Sequence, residues 1–405
     1  MNSIYLYCKI LYKEVNMKYA FIVFVLLTVL LSCSMRRDKN ENQTAVFYPL
    51  EDTRLVSDFT DYIDSIAIIP LETSEQSYIA SIQKILIAES GKMVVWTSTG
   101  IMVFDSAGDF LFTVGQIGRA PGEYLQLYDI CLDLAGREIL AVDCNNDVLH
   151  YSLLDGRFLR KTTPQFPEKY PNCIGIAPSC DGGFFLFGCN PFQKEDFENT
   201  FYCLTQFDKN GKYLKSYLSR KEYVLPVSVM TQGINNSYWI RPQEGDNICY
   251  CLDSSYVKPV YQLDFKDKYI PYRYVPVTAE HRFDVQKFIN NSYYKLPVYL
   301  HETERDFYFS AGGPEADDHF FVFDKTTMKG LHWLHDKKDK TPLLLIKASD
   351  AQFYYAVFND YGDYTADSLP DNMEPLKKYL IQKEKLFLDS ENSMNPLLVK
   401  IRFKM

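Results

Sequence analysis

Apolar residues alternate with polar ones in short runs along most of the chain, and small turn-forming clusters break the runs apart. A period of two belongs to β-strands, whose successive side chains point to opposite faces. The pattern also repeats: residues 81–115, SIQKILIAESGKMVVWTSTGIMVFDSAGDFLFTVG, overlie residues 128–162, YDICLDLAGREILAVDCNNDVLHYSLLDGRFLRKT, and each copy reads as four short strands. Repeated four-stranded units of this kind predict an all-β chain, a β-propeller with blades around a central channel. An aromatic or apolar residue followed by a turn former marks the end of each third strand: Phe104-Asp105, Tyr151-Ser152, Phe207-Asp208, Leu252-Asp253 and Phe323-Asp324. These five marks predict five blades.

Material at the two ends makes a sixth blade. Residues 341–350, 352–358 and 396–404 read as strands, with a helical period over Glu374–Leu388 between the last two. Asp64–Thr73, DSIAIIPLET, is an orphan strand ahead of the first blade. Pairing it with the C-terminal blade closes the ring and leaves no open sheet edge at the join. Insertions fall at 190–199 and at 277–294, the latter with helix-like spacing at Phe283, Val285, Phe288 and Ile289. The expected fold is therefore a six-bladed β-propeller over 61–405, with short helical insertions.

The N-terminal region reads differently. Residues 1–16 carry no useful pattern and look like a start-site extension ahead of Met17. From Met17-Lys18 a positive residue precedes the apolar run 19–31, too short to span a bilayer and of the length of a signal-peptide h-region. The run ends Leu30-Leu31-Ser32-Cys33, resembling a bacterial lipoprotein processing site, so 17–33 reads as a lipoprotein signal with Cys33 lipidated. The plainer alternative is a cleaved soluble secretory signal. Polar residues 34–60 read as a flexible tether.

Charge removes one class of partner. The chain carries −9, and residues 1–32 contribute +2 of it, so the mature part carries −11. That balance argues against nucleic acid, which wants a basic patch. The 31 Tyr and 28 Phe fit strands packed face to face rather than a carbohydrate platform. No short CxxC pair occurs among the cysteines, which argues against a thiolate metal site. A hairpin at Asp181-Gly182-Gly183 would set Cys173 nearly opposite Cys189, the candidate disulfide.

Four segments carry a family resemblance: Pro70-Leu71-Glu72-Thr73, Phe104-Asp105 with Gly108-Asp109-Phe110, the loop Gly115-Gln116-Ile117-Gly118-Arg119-Ala120-Pro121-Gly122-Glu123-Tyr124, and Asn395-Pro396-Leu397-Leu398-Val399. Through them residues 60–405 resemble the NHL-like six-bladed β-propeller lipoproteins of Gram-negative anaerobic gut bacteria. Arg119-Ala120 departs from the glycines usual there. The resemblance implies the fold and an outer-membrane lipoprotein of the cell envelope, on its periplasmic or surface side. It carries over no catalytic residues.

The loop places Arg119, Glu123 and Tyr124 as candidate ligand-binding residues near a channel mouth. The structural alternative is that Pro121-Gly122 sets a turn whose N–H groups Glu123 accepts, or that Glu123 pairs with Arg119. Six histidines (150, 281, 301, 319, 332 and 335) do not share the blade position a metal ring requires, and the acidic clusters 315–318 and 360–367 read as solvated loops. No GxSxG, P-loop, HExxH or dinucleotide motif occurs. No cofactor, metal or catalytic residue is therefore expected. The expected role is a monomeric, lipid-anchored binding or scaffolding module for a glycan, peptide or envelope protein. The alternative is a propeller lyase or hydrolase, which converging carboxylates or histidines on the first strands would favour. A channel lined by aliphatic and small residues is expected instead.

Overall fold

The computed structural model describes residues 45–50, 53–133, 135–167, 173–188, 201–220, 230–240, 247–253, 256–268, 293–294, 297–313, 318–335, 344–358, 366–387 and 395–405. Three strands come first: β1 (Val46–Pro49), β2 (Thr53–Leu55) and β3 (Ile63–Pro70). Blade one is β4 (Ile82–Ile87), β5 (Met93–Thr97), β6 (Ile101–Phe104) and β7 (Phe110–Val114). Blade two is β8 (Leu127–Leu132), β9 (Glu138–Asp143), β10 (Val148–Ser152) and β11 (Phe158–Thr162). Blade three is β12 (Cys173–Pro178), β13 (Phe184–Gly188), β14 (Phe201–Phe207) and β15 (Tyr213–Arg220). Blade four is β16 (Met230–Gln232), β17 (Tyr238–Ile240), β18 (Ile248–Asp253) and β19 (Tyr256–Asp264). Blade five is β20 (Pro297–Glu302), β21 (Asp306–Gly312), β22 (Asp318–Asp324) and β23 (Gly330–His335). Blade six holds β24 (Leu345–Ser349), β25 (Tyr354–Phe358) and β26 (Leu397–Phe403), with α1 (Glu374–Phe387) between the last two.

Within each of the six sheets the blade strands pair antiparallel with their neighbours. The first strands of neighbouring blades touch one another all the way round, from β4 against β8 to β24 against β4. They therefore surround the axis. β3 closes the ring as the fourth strand of blade six, antiparallel to β26 from Leu397↔Pro70 to Phe403↔Ile63. Packing closes it too: Ile69, Val357 and Leu398 of blade six bury against Ile85, Met93 and Phe104 of blade one. Asn395 pins the join, accepting from Ile79 N at 2.7 Å and donating to Glu72 O and Ser77 O, each at 2.7 Å.

The aromatic–Asp marks have a local cause. Asp105 Oδ1 accepts from the N–H groups of Ala107, Gly108 and Asp109, and Asp208 Oδ1 from those of Asn210 and Lys212. In blades one and three the carboxylate thus satisfies the turn that opens the fourth strand. The turn glycines do a second job. Gly156 and Gly211 have φ of 72° and 79°, and a Cβ there would meet Thr113 O and Thr163 O of the preceding blade at 2.7 Å. Glycine therefore lets consecutive blades abut.

Residues 45–50 and 53–60 correct the tether reading; 34–44 lie outside the described residues. β1 pairs in parallel with β19 and β2 with β23, so this segment adds a fifth strand to blades four and five before β3 completes blade six. The reason is apolar content hidden among polar neighbours: Tyr48 is 1% exposed, and Val56 and Phe59 are buried. Phe59 stacks on Trp333 with ring centroids 5.2 Å apart.

Candidate functional site

The β7–β8 connection folds on itself. Ile117 and Tyr124 form an isolated bridge, Tyr124 N donates to Gln116 O at 3.0 Å, and Glu123 N donates to Ala120 O at 2.9 Å. Glu123 turns back into the loop, where Oε2 accepts from Ala120 N at 2.7 Å and Oε1 from the Gln116 amide. These donors, the Ala120 N–H first, hold its carboxyl below the usual carboxylate range. Gly118 lies directly under that carboxylate, which leaves no room for a Cβ. Gly122, at φ 84°, passes against Phe158 and receives the Tyr151 hydroxyl on its carbonyl at 3.0 Å.

Across from the loop stands the β9–β10 turn. Asp143 Oδ1 accepts from Asn145 N and Asp147 N at 2.9 Å each. Asp147 in turn holds Lys161 Nζ at 2.8 Å and Thr163 Oγ1 at 2.5 Å. The Asp147 carboxylate raises the Lys161 pKa by that bond. Loop and turn line a groove of about 490 Å³ on blade two, with Leu149 and Phe158 among its apolar residues. Ile117 and Leu125 of the same loop are exposed.

The three loop residues separate by environment. Arg119 is exposed, and its guanidinium has no carboxylate partner among the described residues. Glu123 is held by the turn rather than by Arg119. Tyr124 is 4% exposed and packs with Leu127, Leu149 and Tyr151. Burial raises its pKa. Asp143, Asn145, Asp147 and Lys161 were not singled out from the sequence; their only signal was the turn DCNND, which reads as a hairpin.

Other candidates fall elsewhere. Cys33 and Cys189 lie outside the described residues; Cys173 pairs in register with Gly188 and donates its N–H to Asn146 Oδ1 at 2.7 Å. His150 is buried against Glu138, at 3.0 Å, and Thr162, at 3.2 Å. His319 Nδ1 and His332 Nε2 meet at 2.8 Å, a pairing that blade spacing did not reveal, and burial pushes both down to about 4. His281 and most of both acidic clusters lie outside the described residues. Among the described residues no group of three or more His, Cys, Asp or Glu is placed to hold a metal ion.

The axis corrects the expectation of aliphatic lining. The first strands of five blades shift register near their starts, and Lys84 and Asp129 directly follow two of these bulges. Lys84 Nζ reaches Asp129 Oδ1 at 2.7 Å with both side chains buried, and Ile176 N of blade three donates to Oδ2 at 3.0 Å. Burial raises the Asp129 pKa against the opposing pull of Lys84. His301 is fully buried, and burial, then Lys347 and Lys84, push it down to about 3. Two buried carboxylates, Asp129 and Glu302, and one buried imidazole, His301, therefore stand on these strands. Glu302 is held apart from Asp129 by its own partners, accepting from Trp239 Nε1 at 2.9 Å and Lys325 Nζ at 2.6 Å. Further along, Gln232 of blade four takes Ile87 N on its Oε1 and donates its Nε2 to Ile87 O, both at 2.9 Å. Blades one and four stand opposite in a ring of six, so this pair crosses the axis.

Closed ring, radial blades and N-terminal closing strand define a six-bladed β-propeller. The chain belongs to the family described as Domain of unknown function (DUF4934), which it matches over residues 51–402. Among solved structures it is similar to a protein from Bacteroides fragilis NCTC 9343 described as exported, with a TM-score of 0.66 and 16% identity, over 89% of this chain and 100% of that one. It is also similar to a protein of unknown function from Bacteroides caccae (TM-score 0.37, 11% identity, 63% of this chain and 82% of that one). A third similar structure is U3-55K (TM-score 0.40, 8% identity, 84% and 98%). No curated protein matches the chain.

Proposed function

We propose that this propeller is an exported binding or scaffolding module of the cell envelope, held at the outer membrane through Cys33, that receives a partner in the groove beside Arg119. One observation carries the reading. The groove's carboxylates are already bonded to their own turns and to Lys161, while Arg119 stands exposed beside apolar residues. Carboxylates committed in this way are poor acids and bases, whereas an uncommitted guanidinium next to apolar surface suits recognition. The chemistry fits an extended peptide with an acidic residue beside an apolar one. Export is supported by the description of the Bacteroides fragilis relative and by the signal-like residues 17–33.

The test is a glycan and pull-down screen with the 34–405 protein, run beside Arg119→Glu. A partner retained by the parent and lost by the variant supports the reading. A partner that both retain equally moves binding away from the groove. Fractionation of cells carrying Cys33→Ala tests the anchor: the protein is expected to leave the membrane fraction.

A further inference from the structure

At the end of the axis away from the Arg119 loop, where the first strands finish, the turns of blades one, four and six surround a basin of about 470 Å³. The Gln232–Ile87 pair lies across its floor, so a molecule entering the basin stops there. Ser349 lines the wall, is 3% exposed, and its hydroxyl has no hydrogen-bond partner among the described residues. Buried hydroxyls are almost always paired, and one left over beside a cavity points to what the cavity holds.

The remaining polar groups restrict the occupant. Lys400 stands over the Phe353 ring at 4.2 Å from its centroid, with Asp350 Oδ2 at 3.9 Å, too far for a hydrogen bond. Asp350 Oδ2 also receives the Tyr355 hydroxyl at 2.6 Å, and Glu89 stands exposed at the rim. An anion would face the Asp350 carboxylate, and a cation would face Lys400. A hydroxyl group meets both requirements, donating to a carboxylate and accepting from Lys400 or Ser349. Ile69, Met93 and Phe353 supply apolar wall for the C–H face of a ring. The volume lies within the range of small-molecule sites, roughly 300–1,000 Å³.

We propose that this basin binds a small, uncharged, hydroxyl-rich molecule, with the chemistry of a single sugar ring or a cyclic polyol. It is independent of the groove beside Arg119, and Arg119→Glu leaves it intact. Saturation-transfer NMR on the full chain, with D-glucose, N-acetyl-D-glucosamine and myo-inositol as separate millimolar probes, tests it. At least one probe shows transfer to its ring protons, while acetate and methylammonium show none. Ser349→Ala keeps the parent melting temperature, because no internal bond is lost, and weakens binding about tenfold, near 1.4 kcal/mol. Ala351→Trp, an exposed rim position, abolishes the transfer without unfolding the protein. Silence from all three neutral probes, equal transfer from the charged ones, or a signal unchanged in both variants overturns the proposal.

Discussion

The groove beside Arg119 and the basin beside Ser349 have similar volumes and opposite origins. One contiguous loop, Gly115–Leu125, supplies most of the groove, and its shape follows from bonds within that loop and to the next blade. The basin takes residues from blades one, four and six, far apart in the chain, and exists only because the ring is closed. A locally built site survives small shifts between blades; an assembled one does not. Substitutions at the axis, in the basin floor and in the loop should therefore separate the two.

The largest effect is expected at the axis. Lys84→Met strands a buried Asp129 carboxylate and costs about 3–5 kcal/mol, read by urea unfolding. It should disturb the basin's sugar signal more than the groove's partner, because Lys84 and Ile87 share β4. Equal loss at both would erase the distinction. Gln232→Ala comes next: it removes both bonds to the Ile87 peptide, costs roughly 1–3 kcal/mol, and abolishes the basin signal while the groove keeps its partner. Gly122→Ala is the converse, forcing a Cβ into the left-handed region against Phe158. It should cost about 1–2 kcal/mol and remove groove binding alone.

Blade five supplies a control remote from both sites. Burial raises the Asp306 carboxyl from 3.8 to about 6, with Arg305 Nε at 3.2 Å pulling the other way. The folded state holds this proton more tightly than the unfolded one, so the contribution to stability is present below pH about 4 and is lost as pH rises through 6. Asp306→Asn is expected to stabilise the protein by roughly 1–2 kcal/mol at pH 7 and not at all below pH 4, with both sites unchanged. Melting curves across that range check it. The smallest effect belongs to Glu123→Ala, a slight drop in melting temperature with partner binding retained. Lost binding at unchanged stability would instead make Glu123 a ligand contact.

How much of this was legible follows the same division. Turn chemistry is local, so the aromatic–Asp marks located the third strands at Phe104, Phe207 and Phe323, and the orphan run Asp64–Thr73 led to the closing strand, which spans Ile63–Pro70. Val46–Pro49 and Thr53–Leu55 were missed because one short apolar run and the tripeptide Thr-Arg-Leu in a polar stretch carry no period; their strand character comes from the open edges of β19 and β23. The Lys84–Asp129 pair was also invisible, since nothing local reports that positions 84 and 129 face each other across a blade boundary.

Alternation and turn residues by themselves determined the all-β character, the repeating unit, the five blades marked by their third strands and the loop that became the groove, because each rests on interactions within a few residues. Only the closed ring decided which polar side chains meet at the axis, that Gln232 bars it, and that Ser349 faces a basin with its hydroxyl unspent. Those contacts join residues far apart in the chain, and their distances are set by how six blades pack radially rather than by any neighbour in sequence.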